Sequence, residues 1–295
     1  EITAIRRAEW HTGGLVVGSV AGMNQGTVAR VSVKGVDFKN FSGYKYLGGV
    51  VGSNGNATVL QDGANDVSVI NCTYSGEIKE ASSEAGNSYG GISGINYALL
   101  RDNEVTYIKM NIQGVYSATS SNTAEQKEAL SSHAGGITGK NEENGCIEGC
   151  MLADNESSSL TAETGMLGGV TGFNKGEIVM SGSGKTSEII YDNEQEDTLD
   201  AMNLRARNSG LKEDGSKYIN YNNWLSRKIY SDNTSITSGK LQMYMNANGN
   251  LGGINAFNGT TGSVNKCVSG NWFILNKSQA LSVGTGGIIG MNESE

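Results

Sequence analysis

A chain of 295 residues with 43 glycines and no proline departs from average usage, which would give roughly 20 and about 15. That bias excludes collagen and mucin-like stalks, both of which need proline, and it assigns the glycines to folded backbone. The net charge of -8 argues against a sequence-independent grip on nucleic acid, and no apolar run approaches the roughly 18 residues of a membrane span, so no direct membrane insertion is expected.

The chain opens at Glu1 without methionine or an apolar signal segment, which reads as a mature or excised piece of a longer protein. From there a pattern Gly-Gly-(Ile/Val)-x-Gly-x-Asn recurs. An imperfect copy at Gly18 to Asn24, with Ser19 for the second glycine, precedes full copies at Gly48 to Asn54, Gly90 to Asn96, Gly135 to Asn141 and Gly168 to Asn174. Gly252 to Asn258 carries Ala256 for the third glycine, and Gly286 to Asn292 is full again. The start points lie 30, 42, 45, 33, 84 and 34 residues apart, so the longest gap holds either a degenerate copy or an insertion.

After each asparagine an aliphatic residue precedes a small or apolar one by three positions: Val28 and Val31, Val69 and Cys72, Val105 and Ile108, Ile147 and Cys150, Ile178 and Ser181, Val264 and Cys267. A further glycine closes the unit at Gly35, Gly76, Gly114, Gly182 and Gly270. Each unit therefore reads as two or three short strands with glycine corners and polar insertions.

In an extended segment Val50, Gly52 and Asn54 share the inward face, and the outward column runs Ala21, Val51, Ser93, Thr138, Thr171, Asn255 and Ile289. The spacing predicts a structural ladder of Asn24, Asn54, Asn96, Asn141, Asn174, Asn258 and Asn292. Strands paired on both sides need every N–H, which accounts for the missing proline. Helical repeats fail on glycine content, and a sandwich or propeller is the second choice. The predicted fold is one all-β domain over residues 1–295, a right-handed parallel β-helix or β-solenoid of irregular units of about 30–45 residues. Eight to ten coils would give a rod of about 40–50 Å.

The copies Gly168 to Ile178 and Gly48 to Asn54 resemble the GLUG-motif repeats of bacterial cell-surface and secreted proteins, including the region ahead of the catalytic part of some IgA-cleaving metallopeptidases. The resemblance spans most of residues 13–182 and 250–292. It implies a β-helix-like repeat of adhesion-type proteins at the cell surface or outside the cell, with no catalytic residues to carry over and flanking domains of the same protein as partners. Ser19, Ala256 and the irregular spacing depart from the pattern.

Sites for chemistry are sparse. The two histidines, His11 and His133, are far from a His-Glu-x-x-His pattern, and there is neither a Cys-x-x-Cys pair nor a Gly-x-Ser-x-Gly elbow. No cofactor is expected. Calcium has oxygen ligands on offer at Asp192 to Asp197 and Asp62 to Asp66, but neither matches an EF-hand loop, and solvated acidic loops are preferred. Gly182 to Thr186 imitates the end of a phosphate loop, and a flexible corner is the simpler reading. Cys72, Cys150 and Cys267 occupy equivalent places and read as buried thiols in one column.

Residues of about 185–248 break the pattern. A short helix is expected where Leu199, Met202 and Ala206 share a face, followed by Tyr218, Tyr221, Trp224 and Tyr230 among amide and basic neighbours. Those four aromatics are the candidate ligand-binding residues, for a host glycan or surface protein, because insertions on one face are where solenoids bind. The expected function is a non-catalytic spacer or adhesion-type domain. The rival is a polysaccharide lyase or hydrolase on a β-helix, for which Glu142, Glu143 and Glu148 are available carboxylates.

Overall fold

The computed structural model describes residues 15–41, 44–57, 67–80, 84–153, 157–185, 189–191, 227–229, 241–269, 272–278 and 283–294. Almost all regular structure is parallel β-strand, stacked in four sheets. Each of the first six units gives one strand to the first sheet, one to the second, one to the third and one or two to the fourth, and the seventh gives one each to the first and second among the described residues. In the third unit these are Ser88–Gly90, Ser93–Asn96, Leu99–Arg101 and Glu104–Ile112. The motif glycines stay in register from unit to unit, for example Gly48 with Gly90, Gly90 with Gly135, and Gly135 with Gly168.

The first and second sheets hold seven strands each among the described residues. At about 4.8 Å per step, seven coils make a stack of roughly 29 Å, shorter than the eight to ten expected. The difference lies in the 84-residue gap between motif copies. Asn174 hydrogen-bonds Asn258 directly at 2.8 Å, and Thr171–Asn174 pairs with Asn255–Asn258, so the extra length of this gap is an insertion and adds no further coil to the stack.

The interior is a continuous apolar column. Leu47, Tyr89, Ala134, Leu167 and Leu251 come from the first sheet, Val69, Leu100, Ile147 and Ile178 from the third, and Tyr74, Val105, Leu152 and Met243 from the fourth. The motif aliphatics Val50, Ile92, Ile137, Val170 and Ile254 join it at the bend between the first two sheets. That bend explains the second motif glycine, because a Cβ at Gly91 would lie 2.7 Å from Val105 Cγ2, and one at Gly136 2.6 Å from Leu152 Cδ2. The coil is narrow there, and only a hydrogen atom fits between the bend and the fourth sheet.

Three sequence expectations need correction. The unit-closing glycines are not equivalent: Gly35 and Gly114 take positive φ, Gly76 lies inside the strand Thr73–Glu80, and Gly182 opens the strand Gly182–Lys185. The pair Val105 and Ile108 belongs to the fourth sheet, and the true counterparts in that coil are Leu100 and Asn103. The column assigned outward is not solvent-facing, since Ser93, Thr138, Thr171 and Asn255 are all fully buried.

Part of the cover on that outer side is a segment missed in the sequence, residues 113–132, which leaves the rod between coils 3 and 4. It contains the one described α-helix, α1 (Ala124–Ala129), started by a capping box of Thr123 and Gln126. Ala124 of α1 packs into a second apolar cluster with Met166, Phe173, Ala256 and Phe257, and Tyr116 and Met291 border it. The outer faces of the first and second sheets thus form a recess that α1 fills.

The bend from third to fourth sheet is built differently. Arg30, Asn71, Asp102, Gly149, Met180 and Lys266, one per coil, all have φ between 48° and 61°. Each of the first five donates its N–H to a carbonyl of the next coil, as Asn71 does to Arg101 O at 3.0 Å and Asp102 to Glu148 O at 2.9 Å. The fourth sheet then breaks into two strands in several coils. The long insertion emerges at such a break, between Gly182–Lys185 and Leu241–Met245, and contains a short antiparallel pair, Ile189–Tyr191 with Arg227–Ile229.

Candidate functional site

Tyr218, Tyr221, Trp224 and Tyr230 lie outside the described residues, as do the expected helix near Leu199 and the acidic segments at 62–66 and 192–197. The root of the insertion is described, and it stands on the fourth sheet. The outer face of that sheet alternates buried and solvent-facing residues along Thr73–Glu80 and, apart from a bulge at Thr106–Tyr107, along Glu104–Ile112. Lys79, Asn111, Thr161, Tyr244 and Leu275 form one register column there, and Glu77, Lys109 and Ser159 another. Lys109 Nζ lies 5.9 Å from the Tyr107 ring centroid, and Lys79 Nζ is 3.5 Å from Glu77 Oε2. The result is a flat array of hydroxyl, amide, ammonium and aromatic groups repeated at about 4.8 Å, able to hydrogen-bond an extended polar ligand. Sequence reading overlooked this face, although the alternation in Glu-Val-Thr-Tyr-Ile-Lys-Met-Asn-Ile marks it.

The motif asparagines form one chain of amides. Nδ2 donates to the next Oδ1 from Asn24 to Asn54 at 2.9 Å, then through Asn96, Asn141, Asn174 and Asn258 at 2.8 Å each, and to Asn292 at 2.9 Å. Nδ2 also donates to a backbone carbonyl, in the following turn of the same coil at Asn96 (Ala98 O, 2.9 Å) and Asn258 (Gly262 O, 2.8 Å) and in the next coil at Asn54 (Leu99 O, 3.0 Å). Their role is structural, because the amides from Asn54 to Asn174 are wholly buried and saturated.

Two of the three carboxylates available for acid/base chemistry, Glu148 and Glu142, are held in ion pairs. Glu148 is buried against Arg101, with Nε 2.8 Å and Nη2 2.7 Å from its Oε2. Glu142 pairs with Lys140, which also meets Glu128 of α1, and Glu143 is exposed on the turn beyond. Burial works against the charges of Glu128 and Lys140. Lys140 and Lys175 outweigh it at Glu128, holding that carboxyl below its usual range, while Glu142 and Glu128 raise Lys140.

His133 is buried between Ser88 Oγ on Nδ1 and Glu128 O on Nε2, each at 3.2 Å, with its ring 5.5 Å from Phe173. Burial, reinforced by Lys140, lowers its pKa to about 3 and keeps it neutral. Ser88 is itself fully buried, and the Glu128 contact is through a backbone carbonyl, so these groups make no solvent-accessible nucleophile and base.

The thiols occupy a column in which they alternate with polar residues: Cys72, Asn103, Cys150, Ser181, Cys267. Asn103 Oδ1 accepts from Cys72 N at 2.9 Å, and Ser181 Oγ from Cys150 N at 3.2 Å. Within this column neighbouring cysteines are therefore two coils, about 10 Å, apart, too far to bridge, and Cys146, which lies outside the column, is free as well. Burial pushes the Cys150 thiol up to about 12 and Cys267 to about 11. Gly182–Lys185, the phosphate-loop look-alike, is a strand paired with Met151–Ala153 rather than a flexible corner.

Among the described residues no group of three or more His, Cys, Asp or Glu is placed to hold a metal ion, and no helix is long and apolar enough to cross a membrane. Comparison of this chain with known protein families, with curated proteins and with solved structures gave no match.

Proposed function

We propose that this chain is a non-catalytic spacer and adhesion-type segment of a secreted or surface-attached bacterial protein, acting beside flanking domains of the same protein, as its likeness to GLUG-motif repeats implies. The winding is right-handed, the hand that parallel strand crossovers overwhelmingly take. The observation that supports this reading best is the unbroken amide ladder with its apolar column, which makes the rod one stiff unit and leaves side-chain variety to the fourth sheet and its insertion. A host glycan or surface protein contacts the insertion through Tyr218, Tyr221, Trp224 and Tyr230, with the flat face at its root as a platform.

The test is binding to an array of glycans and matrix proteins by the whole chain and by a chain in which a short linker replaces residues 186–240. Binding lost on deletion, with the rod still folded, supports the reading. Binding that survives the deletion removes the insertion as the site, and release of reducing sugar or unsaturated product from a polysaccharide replaces the spacer reading with the lyase or hydrolase one.

A further inference from the structure

We infer that the excursion of residues 113–132 is a strap over the outer recess that opens in acid, released when His133 at its return takes up a proton. The strap is built to move as a unit. Its two ends meet at a neck, where Ser132 N donates to Val115 O at 2.8 Å and Val115 N to Ser132 Oγ at 3.1 Å. Above the neck it bonds to itself, Ser117 N to Leu130 O at 3.0 Å and Lys127 N to Thr123 O at 2.8 Å. Side chains hold α1 down: Ala124 sits in the second apolar cluster, and Glu128 pairs with Lys140 and Lys175. None of these contacts is a rung of the stacked sheets, so the strap can lift while the sheets stay paired.

His133 lies under the strap rather than in it. It opens the strand His133–Gly135, with Ser88 and Met166 beside it in the first sheet. Its partners fix the neutral form: Nε2 carries the hydrogen that Glu128 O accepts, and Nδ1 accepts from the Ser88 hydroxyl. The ring's other neighbours, Met166 and Phe173, are apolar. Of the charged groups that face it, Lys140 on the second sheet and Lys45 on the first oppose a positive ring, and the Glu128 carboxylate of α1 favours one. Glu128 is already shared between two lysines, so it compensates only in part. A proton on Nδ1 also turns the bond accepted from Ser88 into one donated to it, and the hydroxyl hydrogen of a fully buried serine loses its acceptor.

Lifting the strap gives the ring water and its ordinary titration range. Because the closed ring titrates below the open one, the open form binds a proton that the closed form does not, and acid favours opening. Glu128, held below the usual carboxylate range while the strap is closed, acts in the same direction at lower pH. Opening uncovers Met166 with the stacked rings of Phe173 and Phe257, 5.3 Å apart, as an apolar shelf on a rod whose coils remain paired.

Native-state hydrogen exchange on the whole chain, read as protection relative to the intrinsic rate at each pH, tests this. From pH 7 to pH 5 protection at residues 117–131 is expected to fall about 25-fold. It should start below that of Ser93–Asn96 and Thr171–Asn174, and low urea should barely change it, because the strap exposes little surface on opening. In His133→Gln, which stays neutral throughout, the fall should vanish. Equal protection of strap and strands would mean that the strap opens only when the rod unfolds, and a fall that persists in His133→Gln would place the trigger elsewhere; either overturns the proposal. So does a fall in the native chain that begins only below about pH 4.5, the carboxylate range, and this last outcome is read without the variant should it fold poorly.

Discussion

The bend between the first and second sheets and the bend between the third and fourth turn the chain by different means. At the first, space is the constraint: side chains of the fourth sheet, such as Val105 and Leu152, stand where a Cβ at Gly91 or Gly136 would lie. At the second there is room for a side chain, and conformation is the constraint: Arg30, Asn71, Asp102, Met180 and Lys266 adopt φ near 50° with their side chains in place. A left-handed residue costs about 1–2 kcal/mol, and at this bend the cost is offset by an N–H bonded to the next coil in the first five coils. Exclusion of volume admits one residue type, whereas a moderate conformational cost admits many.

The largest effects are expected on the motif side of that comparison. Asn141→Ala removes the acceptor of Asn96 and the donor of Asn174, along with the bond to Gly145 O. Two neighbours lose a buried partner at about 1–3 kcal/mol each, so the expected loss is about 4 kcal/mol, against under about 1 kcal/mol for Asn292→Ala at the exposed end of the ladder. Denaturant unfolding of both variants checks the ratio; equal losses would mean that the ladder is not cooperative. Gly136→Ala forces a methyl against Leu152 and the Gly169 carbonyl and should cost about 3 kcal/mol. Only a visible shift of the fourth sheet in a structure of the variant would reconcile a smaller cost with this packing.

His133, on the outer side of the same bend, makes stability depend on pH. Its folded pKa of about 3 lies below the unfolded value of 6.5, so the unfolded chain binds a proton that the folded chain does not. Its contribution is complete above pH 6.5 and falls as pH drops towards 3, by about 2 kcal/mol at pH 5. Glu128, held below the usual carboxylate range, adds its own loss only below about pH 4.5, so the interval from 6.5 to 5 isolates the histidine. Thermal unfolding across that interval should slope in the native chain and flatten in His133→Asn. An unchanged slope in the variant would assign the dependence to another group.

These contrasts explain what the amino-acid order discloses. The motif bend is legible because excluded volume writes glycine at the same place in each full copy, and the all-β class with parallel stacked strands follows from it. The αL bend leaves no such mark, since Arg, Asn, Asp, Gly, Met and Lys share it, and the glycines that the sequence offers as unit closers include Gly76 and Gly182, where strands run. The outer column looked solvent-facing because alternation tells one face from the other without saying what lies against it. Here a six-residue helix does, signalled locally only by Thr123-x-x-Gln126. The length of the longest gap could not by itself separate a degenerate coil from an insertion; the pairing of Thr171–Asn174 with Asn255–Asn258 does.

The smallest expected effect bears most directly on the two bends. Arg30 has φ 58° and an exposed side chain, so replacing it by glycine removes conformational strain without removing a described contact. The relief of about 1–2 kcal/mol is partly cancelled by the greater freedom of glycine in the unfolded chain, about 0.4–1 kcal/mol. Arg30→Gly should therefore stabilise the chain by about 0.5–1 kcal/mol, and Gly149→Ala, the reverse change at φ 61°, should destabilise it by a similar amount. A rise in melting temperature for the first and a fall for the second would show that conformation governs this bend. If Arg30→Gly instead destabilises, the arginine stem contributes packing that outweighs its strained backbone, and the two bends are more alike than their geometry indicates.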